Sequence, residues 1–362
     1  MPAPQRPPAN MKKKGPPGLD PKQVSSRSRG ALLGLAVCDA LGTTNEFRKL
    51  NAPPFPTLTD GPQVDMRGAG PFALKPGQVT DDTQMACCIG AILKSLHRYD
   101  VVEVAKQYAV WRPLAFDVGN QTAAAIEAFA SGLPPEAAGR SVWLKSGQKA
   151  AGNGSLMRTA PIGVYFAKDR SARVQASLED SAITHYDPRC QLACAALNGS
   201  IAAAITSMKP PGPDDLTTAA TLDLSLAGSM LGKTAPDYVV QVKDASEWIR
   251  EDLALAKTDD PRLYGPEMHM FIQAGFVRVA FRLAYWELFH APSFEAALID
   301  VVNRGGDSDT NAAITGALLG AYYGEEQIPE RWRTAVIEAL SLGRGGPFWD
   351  LYHPRHLLGI LG

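Results

Sequence analysis

The stretch Asn303-Arg-Gly-Gly-Asp-Ser-Asp-Thr-Asn311 gathers oxygen donors: Asp307 and Asp309 flank Ser308, and Thr310 follows. Two kinds of chemistry use such residues. Asp, Ser and Thr accept backbone N–H bonds at a helix start, where the helix dipole also favours negative charge. A pair of carboxylates with a hydroxyl equally supplies the hard oxygen ligands that a divalent cation wants. A second cluster, Thr80-Asp81-Asp82-Thr83, sets two aspartates side by side. Adjacent carboxylates repel, and two such clusters in one chain leave uncompensated negative charge unless cations sit between them. A shared two-metal centre is the economical inference, because ions about 3.5–4 Å apart orient oxygens and acidify bound water.

A third stretch, Gly152-Asn-Gly-Ser-Leu-Met-Arg-Thr-Ala-Pro161, brackets Asn153 with glycines. A plain turn is one reading. The other is an anion loop: backbone N–H groups approach a phosphate unobstructed, Leu156 to Ala160 open a helix with its positive end toward the anion, and Arg158 adds charge.

These clusters need elements to position them. Apolar helical patterns follow both acidic stretches, over Met85 to Leu96 and Ala312 to Tyr323. In the second pattern, Gly316, Gly320 and Gly324 recur every four residues among alanines, a stripe that lets another helix approach closely. Gly30 to Gly42 is similarly small-residued and should pack centrally. Further helices are expected over Val101 to Trp111, Thr122 to Ala130, residues 190 to 207, segments of 216 to 256, Phe271 to Leu288 and Phe294 to Val302. No alternating strand pattern occurs, so the fold class is all-α.

Together the three motifs resemble the ADP-ribosylglycohydrolase family, over roughly residues 27 to 350. The resemblance implies a compact orthogonal helical bundle over residues 27–362, preceded by an extended N-terminal arm, 1–26. It implies two Mg²⁺ or Mn²⁺ ions held by Thr80, Asp81, Asp82, Asp307, Asp309 and Thr310, with the terminal ribose of ADP-ribose above them. Asn153, Gly154, Ser155, Met157 and Arg158 would then cradle diphosphate and ribose, with Thr184 and His185 near the adenosine. Glu46 stands where the family carries a glutamate beside the ribose. Asp117, in Phe116-Asp-Val-Gly-Asn-Gln-Thr122, matches a segment that contacts the ribose or the attacking water, although a helix N-cap would use the same residue. Glu46, Asp81, Asp117 and Asp309 are accordingly the catalytic candidates. One departure is Cys38, where relatives carry glycine; the carboxylate of Asp39 after it is kept.

The activity so implied is removal of ADP-ribose from modified protein, with arginine as the expected acceptor because Thr80–Met85 and Gly152–Arg158 look closest to that branch. Serine-linked ADP-ribose, O-acetyl-ADP-ribose and ADP-ribosylated nucleic acid are the alternatives.

Composition bounds the remaining classes. Formal net charge is −1 over 362 residues, which argues against a generally basic nucleic-acid surface. The charge is uneven: residues 1–29 carry seven basic side chains and one acidic, about +6, leaving about −7 for the body. Residues 1–26 hold seven prolines and almost nothing apolar, a composition that cannot fold alone. They read as a solvated tail or as an arm that docks on an acidic cleft. Since some relatives of the family are immunity proteins, the docking partner could be an ADP-ribosyltransferase toxin. Five cysteines in apolar contexts, no membrane-length apolar run and no signal core lead to the expectation of a cytoplasmic protein.

Overall fold

Residues 19–50, 62–339 and 350–361 are described by a computed structural model. Among them the chain is helical, with four isolated bridges and no strand, so the all-α architecture expected from the sequence is the one observed.

The central element is α1 (Pro21–Gly42), capped by Asp20, whose carboxylate accepts the Lys22 N–H. It begins inside the segment read as the arm; residues 1–18, and with them any docking by that arm, lie outside the described residues. From Gly30 to Gly42 every residue of α1 is buried. Its partner is α13 (Ser308–Tyr323), and the two meet through facing glycines. A Cβ built on Gly34 would lie 2.1 Å from the Gly316 carbonyl oxygen, and one on Gly320 would lie 2.0 Å from that of Gly30. No side chain fits between backbones at that distance, which explains the small-residue stripes on both helices.

Around this pair pack α2 (Asp81–Leu96), α3 (Val101–Trp111), α4 (Asn120–Ala130), α5 (Pro135–Lys145), α6 (Ala160–Tyr165), α7 (Arg170–Thr184) and α8 (Pro188–Thr206). The remainder of the shell is α9 (Pro213–Thr234), α10 (Val239–Leu255), α11 (Val277–His290), α12 (Phe294–Asn303), α14 (Glu330–Ile337) and α15 (Arg355–Leu358). One apolar core runs through the bundle, and all five cysteines are buried and unpaired within it.

Two expected helices begin later than periodicity suggests. Residues 271–276 turn instead of joining α11, because the His269 ring accepts the N–H groups of Phe271 and Ile272 at 3.2 and 3.3 Å. Gly275 and Phe276 then pair with the Gly152–Asn153 loop; Asn153 N–H donates to the Gly275 carbonyl at 2.9 Å. Leu156 to Thr159 likewise form a turn, and α6 starts only at Ala160.

The glycine contact makes a testable demand. Gly34→Ala and Gly316→Ala should each lower the unfolding free energy by about 1–3 kcal/mol, seen as a lower urea midpoint. Gly232→Ala in α9, where a Cβ meets nothing within 4 Å, should be neutral or stabilising. Equal midpoints for all three variants would show that the α1–α13 backbones do not touch.

Candidate metal centre and active site

Neither acidic helix start is capped by its N-cap side chain, although the Asp309 carboxylate accepts the Thr310 N–H at 2.9 Å. Thr80 is the N-cap of α2 and Asp307 that of α13, yet neither side chain bonds its own helix's free N–H groups. The capping role at α2 falls instead to Asp39 on α1. Its carboxylate accepts the N–H groups of Thr80 (3.0 Å) and Thr83 (3.2 Å) and both their hydroxyls. Thr80 Oγ1 also lies 3.0 Å from Asp82 Oδ2, so its single proton serves either Asp39 or Asp82. At the other end of this junction Gly42 abuts Asp309, where a Cβ would meet the Asp309 Cα at 2.3 Å, and the Ser308 hydroxyl donates to the Gly42 carbonyl at 2.7 Å. One helix thus sets the start of both others.

The result brings together what lies far apart in the chain. Asp39, Asp82 and Asp309 each offer a carboxylate oxygen, all within 4.8 Å of one another, and so do Glu46, Asp117 and Asp309. A cavity of about 210 Å³ opens over them, lined by Glu46, Asp81, Asp117, Asp307 and Asp309 together with Thr310, and among the described residues no lysine or arginine contributes to its wall. Asp117 is not a cap: α4 starts at Asn120 with Gly119 before it, which leaves the carboxylate to the cavity.

Burial raises the pKa of every one of these acids. Asp39 rises from 3.8 to about 6 by desolvation, against the four hydrogen bonds it accepts. Asp117 rises to about 7, through desolvation and then the charges of Asp307 and Asp39. Glu46, Asp81, Asp82, Asp307 and Asp309 move up chiefly through desolvation, reinforced for all but Asp307 by their neighbours' charge. Asp82 Oδ1 and Glu46 Oε2 are buried with no hydrogen-bond partner. Native proteins seldom strand a carboxylate oxygen in this way, so a set of hard oxygen donors with orphaned atoms and, among the described residues, no cationic side chain fits divalent cations.

The glycine-bracketed loop forms part of the same wall. Gly152, Asn153, Gly154 and Met157 line the cavity. Asn153 Nδ2 donates to Asp307 Oδ2 at 2.7 Å, so this side chain steadies the acidic centre. A Cβ on Gly154 would come within 2.8 Å of the His185 ring, which explains the glycine. His185 also lines the cavity; its Nδ1 is 2.8 Å from Thr184 Oγ1, and burial pushes its pKa well down, which keeps the imidazole neutral.

Five of the candidates are buried without lining the cavity: Thr80 and Asp82, beside Asp39, and Ser155, Arg158 and Thr184. Arg158 is fully buried, with Nε donating to Asp180 Oδ2 at 3.0 Å and its guanidinium over the Tyr108 ring; Tyr108 donates to the same carboxylate. A buried arginine bound to its own carboxylate is a structural pair and offers no charge to a phosphate. Ser155 is turned to Ser181 and Cys194, and Thr184 to His185. Asp39, and Phe47 and Gln121, which line the cavity, were not among the sequence candidates; Gln121 Oε1 accepts the Gly152 N–H at 3.2 Å. Asp39 had a signal, since it is the one charged side chain in the apolar stretch Gly30 to Gly42. Phe47 and Gln121 had none.

An all-α shell closed over a buried acidic cavity suited to divalent cations defines the class of site. Its family follows from comparison: the ADP-ribosylglycohydrolase profile matches residues 20–352, and the chain belongs to that family. It is 29% identical over 331 residues to the ADP-ribosylarginine hydrolase Tri1 of Pseudomonas putida (strain GB-1), covering 87% of this chain and 75% of that one. The protein of the same name from Serratia proteamaculans (strain 568) is 28% identical over 341 residues, at 89% and 79% coverage. A solved ADP-ribosylglycohydrolase-related protein complex matches with a TM-score of 0.66 and 25% identity, over 94% of this chain and 98% of that one. Among the described residues no helix is long and apolar enough to cross a membrane.

The raised acids predict a pH dependence for cation-free protein. Folded pKa values above the ordinary 3.8 mean that protons stabilise the fold; this contribution is complete below 3.8 and is lost as pH climbs through about 6 and 7. Protein treated with chelator should therefore melt at lower temperature as pH rises from about 5 to about 8, and Mg²⁺ or Mn²⁺ should restore the loss. Asp82→Asn should raise the cation-free melting temperature and abolish the response to cations. A flat pH profile, or a cation response that persists in Asp82→Asn, would contradict the assignment.

Proposed function

We propose that this protein is a binuclear-metal-dependent hydrolase that removes ADP-ribose from modified arginine side chains of proteins. The observation that carries the reading is the meeting of Asp81, Asp82, Asp307 and Asp309, from two distant helix starts, beneath one cavity that also holds Glu46 and Asp117. The choice of arginine is supported by the relatives named ADP-ribosylarginine hydrolase.

Thr80, Asp81, Asp82, Asp307, Asp309 and Thr310 would hold two Mg²⁺ or Mn²⁺ ions, which when bound polarise hydroxyls and water at neutral pH. Gly152, Asn153 and Gly154 line the cavity that would take the sugar and its diphosphate, and Asn153 keeps Asp307 in place from that side. Cleaving a glycosidic bond to guanidine requires a proton on the departing nitrogen. Glu46 and Asp117 face the cavity with carboxyl groups close to each other, and in cation-free protein burial and neighbouring charge raise both, Glu46 to about 9 and Asp117 to about 7. Either is placed to hand on that proton; the other, ionised, would take one from the attacking water.

Purified protein incubated with arginine-, serine- and nucleotide-linked ADP-ribose should release ADP-ribose from arginine with Mg²⁺ present and stop when the metal is chelated. Glu46→Gln should slow release by at least about 100-fold with ADP-ribose affinity retained. Release from serine alone would overturn the arginine assignment, and undiminished release in chelator would overturn the metal centre.

A further inference from the structure

We propose that Phe47 determines specificity for an arginine-linked substrate, its ring serving as the face on which the departing guanidinium lies; this rests on the arginine reading above. Phe47 lines the same cavity as Glu46, Asp117 and Asp309, yet it is 58% exposed, so the ring stands at the mouth and packs into no core. Its backbone φ is +60°, a left-handed conformation that a bulky side chain adopts only against a steric penalty. Hydrogen bonds enforce it. Phe47 N–H donates to the Gly306 carbonyl at 2.7 Å, and Gly306 N–H returns a bond to the Arg48 carbonyl at 2.9 Å. Gly306 adjoins Asp307, and both Gly305 and Gly306 have positive φ, +71° and +67°, so the turn that carries the acidic centre also carries the ring. A glycine at position 47 would relieve the strain and expose less apolar surface. The chain keeps a phenylalanine there, and neither folding nor burial accounts for it.

What such a ring recognises follows from its surroundings. Among the described residues no lysine or arginine lines the cavity, so no side chain there repels a cation. A guanidinium is a planar, weakly hydrated, delocalised cation that stacks on aromatic faces, and it is the group released when ADP-ribose leaves arginine. A serine hydroxyl or an acetate has neither the charge nor the flat face. Phe47 would thus supply a surface that an oxygen-linked leaving group cannot use.

The test compares Phe47→Leu, apolar and equally strained but without a ring, with Phe47→Trp, whose larger π face binds cations at least as well. Three quantities are read in metal-loaded protein: kcat/KM on arginine-linked ADP-ribose, calorimetric affinity for methylguanidine with ADP-ribose bound, and affinity for ADP-ribose alone. Phe47→Leu should lose about tenfold in the first two and less than about twofold in the third, while Phe47→Trp keeps all three near wild type. A leucine variant equal to wild type on the arginine substrate would overturn this inference alone, as would a parallel loss of ADP-ribose affinity, which marks a merely structural role. If wild-type protein releases nothing from arginine, the arginine reading falls and the role of Phe47 falls with it.

Discussion

Seven carboxyl groups, Asp39, Glu46, Asp81, Asp82, Asp117, Asp307 and Asp309, are drawn from water into one small region, and that electrostatic burden governs the rest of the structure. Charges buried together repel and lose their hydration, a penalty of several kcal/mol for each ion unless it is paired. Only a rigid frame can hold such a set in place while it awaits protons or cations. The frame is the glycine-to-glycine contact of α1 with α13, tight enough that no side chain separates the two backbones. α1 then acts at its far end on two neighbours at once: Asp39 satisfies the free N–H groups of α2, and Gly42 seats the first turn of α13. Packing and electrostatics are joined in one helix.

The surrounding loops divide the remaining work. The Gly152–Asn153 wall is fixed from behind by the residues before α11 and from the front by Asp307, so it is held without a helix of its own. The Arg158–Asp180 pair lies in the core, where Tyr108 donates to the same carboxylate. Breaking such a pair on one side would leave a bare charge in the core, which is why its contribution is to stability rather than to ligand contact. Phe47 alone at the mouth departs from good local geometry, and strain of that kind collects at functional positions.

Much of this was legible in the sequence wherever the cause was local. Both acidic stretches, the small-residue helices and the absence of strands depend on neighbours along the chain, and each is seen in the fold. Whether Asp and Thr at a helix start cap it or face a cation depends on where their side chains turn, and that was fixed by Asp39 from a helix 41 residues away. Arg158 reads as an anion ligand until Asp180 is found beside it, and the helix expected from Phe271 is interrupted because His269 and Gly152 claim that backbone. Left-handed Phe47 leaves no trace in composition or spacing, since only a distant carbonyl imposes it.

The central claim is that two helix starts, remote in the chain, jointly hold a pair of cations. Anomalous diffraction from crystals grown with Mn²⁺ addresses it directly. Two peaks in contact with carboxylate oxygens from both Asp81–Asp82 and Asp307–Asp309 are predicted. A cavity without anomalous density at saturating Mn²⁺, or ions bound by one acidic stretch alone, would contradict the account.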